Sequence, residues 1–195
     1  VTDGGISSLA SSGCGSQLTL LSLHGLDQLT DEGIAVLAAS GCGAKLTSLC
    51  LERIPHVSGR GLASLASAGC GAMLTSLELD DVESITDEGI VSLASAGCGG
   101  HVTALTLSFL ENLTDRALES LALAGCGAKL KSLFLGGMKD ITDAGIEALA
   151  SAGCGWDLTS VTLSRLKNVT DKGIESLASS GCGGLLKALH ISDME

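Results

Sequence analysis

ITDEGIVSLASAGCGGHVTALTLSFLEN, residues 85–112, recurs along the whole chain with a period of 28 residues. Cysteines at 14, 42, 70, 98, 126, 154 and 182 keep that spacing without an insertion or a slip. A unit this short cannot bury its own apolar face, so units of this length stack on one another and form a solenoid. The 195 residues hold just under seven units.

Each unit divides into a helix and a strand. Thr30-Asp31 recurs as Thr86-Asp87, Thr114-Asp115, Thr142-Asp143 and Thr170-Asp171, with Ser58-Gly59 as the departure. Threonine or serine caps a helix N-terminus, and an acid in the first turn complements the helix dipole. Ile34, Leu37 and Ala38, matched by Ile90, Leu93 and Ala94, follow at helical spacing and predict an amphipathic helix of roughly three turns. Gly41 and its equivalents Gly69, Gly97, Gly125, Gly153 and Gly181 end it. After the cysteine, Leu49-Cys50-Leu51 and Leu77-Glu78-Leu79 read inside–outside–inside, the period of a strand. Every strand is reached through a helix, so the strands lie parallel and the helices cover one side. The predicted fold is α/β: a right-handed solenoid spanning 1–195 as one domain, with strands concave and helices convex.

Composition narrows the function classes. The formal net charge of −11 argues against a nucleic-acid backbone or an anionic membrane surface as partner, and leaves a protein or peptide, especially a basic one. The mean hydropathy of +0.44 is high, yet no unbroken apolar run approaches a membrane span. Seven of the eight cysteines occupy one column of the repeat, which reads as buried, reduced thiols and an intracellular setting rather than a disulfide framework. No signal peptide is legible at the start, and the opening at Val1 in mid-repeat reads as a segment of a longer chain.

The pattern LxxLxLxx[LIVM]xx[LIV]TDxGIxxLAxxGCG resembles a leucine-rich repeat of the cysteine-containing subfamily, whose hallmark is the ITDxGLxxLAxxC run. The resemblance covers the entire chain. Two features depart from it: Leu26, Ile54, Val82 and their equivalents stand where that family has a cysteine after the strand, and the AGCGxxL turn is about two residues longer. The resemblance implies a curved binding surface without catalytic activity. The best-known members are F-box substrate receptors of ubiquitin ligases.

Function is expected where the repeats differ. The outward strand positions are mostly small and polar, with three exceptions. Glu52, Glu78, Asp80 and Asp81, with Glu83 nearby, gather carboxylates on the second and third repeats. Phe109 and Phe134, the chain's two phenylalanines, fall at outward positions of adjacent repeats and predict an interface anchor. His24, Cys50 and Glu52 neighbour one another across the first two strands. A Cys-His-acid set can make a nucleophile, but a flat sheet face offers no oxyanion hole and excludes no water. Trp156, in the turn entering the sixth strand, reads as an edge contact or a lid on its own repeat. The GCG turns precede strands, the reverse of the order that cradles phosphate, so no nucleotide site is expected. His and Cys spacings show no metal set.

The sequence therefore points to a protein-binding scaffold with no enzymatic activity and no cofactor. Two narrower alternatives stand beside it: the substrate-recognition module of an F-box ubiquitin ligase, and a passive structural element of a larger assembly. The threonine column at 19, 47, 75, 103 and 159 also raises binding to ice or another crystal surface, although Lys131 and Lys187 interrupt it.

Overall fold

A computed structural model describes residues 1–126, 128–153, 157–181 and 185–194, the side chain of Cys14 excepted. Among the described residues seven α-helices alternate with seven strands. The helices are α1 (Asp3–Ser11), α2 (Asp31–Ala39), α3 (Gly59–Ser67), α4 (Asp87–Ser95), α5 (Asp115–Leu123), α6 (Asp143–Ser151) and α7 (Asp171–Ser179). The strands are β1 (Leu20–His24), β2 (Ser48–Glu52), β3 (Ser76–Asp80), β4 (Ala104–Ser108), β5 (Ser132–Gly136), β6 (Ser160–Ser164) and β7 (Ala188–Ser192). All seven strands form one parallel sheet in sequence order, and each residue pairs with the residue 28 positions on, as in Leu49↔Leu77 and Leu77↔Leu105. The predicted solenoid is the observed one. Strands stack about 4.8 Å apart while helices need 8–10 Å, so the stack curves with its strands inside.

Each helix has nine residues, about half a turn shorter than the sequence suggests. The helical stripe is as expected: Ile34, Leu37 and Ala38 are buried, as are Ile90, Leu93 and Ala94. They meet the inward strand leucines, and Leu49, Leu51, Leu77 and Leu79 are fully or almost fully out of solvent. Cys42, Cys70, Cys98 and Cys126 fill the layer between, all buried and all reduced. Burial pushes the thiols of Cys70 and Cys98 up to about 12, so they stay protonated and inert.

Two interrupted ladders tie neighbouring repeats together. The first uses the helix-opening aspartate. Asp3 accepts from the Thr30 backbone N–H at 2.9 Å and the Thr30 hydroxyl at 2.7 Å. Asp31 does the same for Ser58 (2.8 and 2.6 Å), Asp87 for Thr114 (2.9 and 2.6 Å), and Asp115 and Asp143 for Thr142 and Thr170. Room for the carboxylate comes from a small residue on the receiving helix: a Cβ at Gly61 would stand 2.8 Å from Asp31 Oδ1, and Ala117 holds that position beside Asp87. Gly59 has no carboxylate to offer Thr86. There α3 and α4 close on each other instead, and a Cβ at Gly89 would stand 2.7 Å from the Gly59 Cα. Thr86 also differs in its own capping. Its hydroxyl makes no cap bond to its helix, whereas Thr30, Ser58, Thr114, Thr142 and Thr170 cap as predicted.

The second ladder is the threonine column. The hydroxyls of Thr47, Thr75, Thr103 and Thr159 each donate to the main-chain carbonyl one repeat back, at 3.0–3.1 Å. These groups are part of the sheet rather than a free array facing solvent.

Candidate functional site: the concave face

On a five-residue strand with its second and fourth side chains inward, the first, third and fifth face the concave side. The outward strand residues lie on this face in registered rows such as Ser22↔Cys50↔Glu78↔Thr106↔Phe134↔Thr162↔His190. The chain then turns through one residue in the left-handed region, at Gly25, Arg53, Asp81, Phe109, Gly137, Arg165 and Asp193. The N–H of that residue extends the ladder by one rung, as in Arg53 to the Asp80 carbonyl (3.1 Å) and Phe109 to the Gly136 carbonyl (2.9 Å). Five of these seven positions carry a side chain at φ near +50°, where a glycine would sit without strain. Each such residue costs roughly 1–2 kcal/mol of backbone strain. The sequence located this rim but not its conformation; the signal was there in Gly25 and Gly137.

Phe109 and Phe134 come together over one bare stretch of backbone, Gly136-Gly137. A Cβ at Gly137 would stand 2.6 Å from Phe109 Cδ1, and one at Gly136 would stand 3.1 Å from Phe134 Cε1. The two rings therefore lie against the same diglycine from neighbouring repeats. Phe109 remains 42% exposed, and Phe134 is half-buried between Thr106 and Thr162. Because Gly137 has no side chain, Arg165 reaches across it and places its guanidinium carbon 5.9 Å from the Phe109 ring centroid, within cation–π range. Arg165 also pairs with Asp193, Nε to Oδ2 at 3.6 Å. The sequence missed Arg165 as part of this cluster, because the contact skips a repeat and depends on the gap at Gly137.

The carboxylates occupy the neighbouring part of the face and are already partly engaged. Glu52 accepts from His24 Nδ1 at 2.8 Å and lies 3.8 Å from Arg53 Nε, which is equally close to Asp81. Asp80 accepts a short hydrogen bond from the buried Ser108 hydroxyl. Glu78 is exposed. Of these four carboxylates only Glu52 and Asp81 lie near the Arg53 guanidinium, and the surface stays acidic.

His24 is held by Glu52 and not by Cys50. Burial raises the Cys50 thiol above its usual range, and the Glu78 and Glu52 charges raise it further against a hydrogen bond from Ser22. That environment protects a thiol rather than activating it. Among the described residues no group of three or more His, Cys, Asp and Glu side chains is arranged to hold a metal, and no helix is long and apolar enough to cross a membrane. Trp156 lies outside the described residues, as do Cys154 and Cys182.

A comparison with family models finds no match, and no curated protein matches. Among solved structures the chain is similar to actin-binding site 2 of leiomodin-1, with a TM-score of 0.48 and 20% identity over 68% of this chain and 78% of that one. It is also similar to a chain in the Rad7–Elc1 complex in yeast, with a TM-score of 0.40 and 17% identity over 99% of this chain and 66% of that one.

Proposed function

We propose that the chain is a non-enzymatic protein-binding scaffold whose concave face holds an extended segment carrying basic side chains. The observation that carries this reading is the pair of phenylalanine rings set on Gly136-Gly137, one of them 42% exposed on a face otherwise made of small polar groups. Covering the exposed part of Phe109 contributes on the order of 1 kcal/mol or more, which the surrounding Ser and Thr do not match. The strained rim supports the same reading. Side chains kept at positive φ where glycine fits better point to a role for those side chains beyond the fold. The sheet is ordered before binding, so a partner loses little entropy to it. Glu52, Glu78, Asp80 and Asp81 lie along the same face and steer a basic segment toward the rings.

Phage display of random peptides against the chain, followed by kinetics on the selected peptides, tests this. Selected peptides should be rich in Lys and Arg and carry an apolar residue. Replacing Phe109 and Phe134 together by serine should raise the dissociation rate about tenfold or more. Glu78→Gln with Asp80→Asn should mainly slow association, and less so at high salt. Peptides whose affinity is indifferent to both phenylalanines would remove the concave-face reading.

The narrower reading, recognition of substrates for a ubiquitin ligase, is supported only by the TDxGIxxLAxxGC run with its buried cysteine column. The presence of an F-box in the native polypeptide is its test.

A further inference from the structure

The charge on the concave side changes sign along the stack. Each repeat can be followed through the outward positions of its strand, the rim residue and the two residues beyond it. From β2 to β4 these positions carry Glu52, Glu78, Asp80, Asp81, Glu83 and Glu111, against Arg53 as the one cation. From β5 to β6 they carry Lys139, Arg165 and Lys167 and no carboxylate, with Asp140 one residue further on. The sign changes between Glu111 and Lys139, which meet at 3.8 Å, Nζ to Oε2. Phe109 follows β4 and Phe134 lies on β5, so the two rings stand on that same boundary. All of these residues belong to repeats with a neighbour on each side, so the pattern does not depend on either end of the chain.

Arg165 gives the basic side its geometry. Its guanidinium carbon lies 5.9 Å from the Phe109 ring centroid. Its approach to Asp193, Nε to Oδ2 at 3.6 Å, is longer than a hydrogen bond. Among the described residues its two terminal nitrogens donate to no acceptor, and the side chain is exposed. A guanidinium fork of this kind grips a carboxylate through two parallel hydrogen bonds. An acid on a partner would therefore find its place beside the rings.

Neighbouring strands lie about 4.8 Å apart, so β3 and the rim after β6 are separated by about 14 Å, the span of about four residues of extended chain. A segment crossing the strands turns its first, third and fifth side chains to the face. We propose that the segment bound here has split charge: Lys or Arg over β3, an apolar residue two positions along at Phe109 and Phe134, and Asp or Glu two positions further at Arg165. The order reads in either chain direction. This proposal deepens the concave-face reading and rests on it. Charge complementarity selects the occupant. A wholly basic segment would set a cation against Arg165 and Lys139, and a wholly acidic one would set carboxylates against Glu78 and Asp80.

Peptides taken from a random phage library on the 195-residue chain, then synthesised and measured by surface plasmon resonance, test it. They should carry a basic residue and an acid four positions apart, with an apolar residue midway. Replacing that acid by lysine should weaken a peptide about tenfold or more, and the loss should shrink at high salt. Lys139→Glu with Arg165→Glu should weaken the parent peptide by a similar factor, and should bind the lysine-substituted peptide better than the unaltered chain does. Lys139→Glu with Lys167→Glu keeps the Arg165–Phe109 contact and should exchange the preference in the same direction; circular dichroism should show both variants folded. Peptides that need both phenylalanines but carry no acid at that spacing, or reversals that never favour the lysine-substituted peptide, would overturn the split-charge proposal and leave the concave-face reading standing. Peptides indifferent to the phenylalanines, or no peptide at all, would remove both. A dimer of the chain itself that these reversals break would make a second copy the occupant, and would also overturn the proposal.

Discussion

Replacing Asp87 by alanine removes both acceptors that hold Thr114, the backbone N–H at 2.9 Å and the hydroxyl at 2.6 Å. A hydrogen bond to a charged group is worth about 1.5–3 kcal/mol, so two intact bonds set an upper range near 3–6. Thr114 is exposed, however, and water can take over its donors once the carboxylate has gone. About 2–3 kcal/mol is therefore expected, including a few tenths from losing the acid at the N-terminus of α4. Asp87→Asn should cost about 1 kcal/mol, since the amide oxygen still accepts from the N–H while the hydroxyl turns round to accept from the amide nitrogen. Urea unfolding followed by circular dichroism measures both. The slope should stay constant if the array melts as one unit, and should fall if α4 and α5 separate first. A loss below about 0.5 kcal/mol for Asp87→Ala at constant slope would refute the view that these aspartates clamp the repeats together, leaving them only the dipole role.

Acid should loosen the same clamps. The Asp3 carboxyl is held below its usual value by the Thr30 N–H and hydroxyl; for Asp143, burial pushes upward but the Thr170 and Gly173 donors and Lys172 outweigh it. A folded-state value below the unfolded one gives stability that is present above the unfolded value and lost as pH falls through the folded one, so urea midpoints should drop below about pH 4, less steeply in Asp143→Asn. Leu93→Ala should cost roughly 2–5 kcal/mol, while Ser92→Ala, next to it on the outer side, should stay within about 0.5; equal effects in denaturant melts would mean the helix phase is misread. Among Cys42, Cys50, Cys70, Cys98 and Cys126, brief native alkylation followed by mass spectrometry should label Cys50 alone, and slowly, because the other four are buried and its own thiol is raised.

The sequence by itself determined the architecture of this protein. An unbroken period of 28 residues forces residue i to pair with residue i+28, so strand order, direction and register follow once Leu-x-Leu is read as a strand and Thr-Asp as a helix start. It also placed Phe134, Glu52, Glu78 and Asp80 on one face, because alternation in a strand leaves no other choice, whereas Phe109 and Asp81 stand in the positive-φ turn that follows the strand. Tertiary structure decided what those side chains touch. The helix-opening aspartates read as dipole partners within their own helix, and the stack turned them into clamps on the next one. Glu52 and His24 found each other across the strand pair and left Cys50 aside. Arg165 met Phe109 only because Gly137 between them has no side chain and the rim runs at positive φ. Period and polarity are properties of one repeat and are legible along the chain, whereas these contacts cross between repeats at distances set by the curvature of the stack.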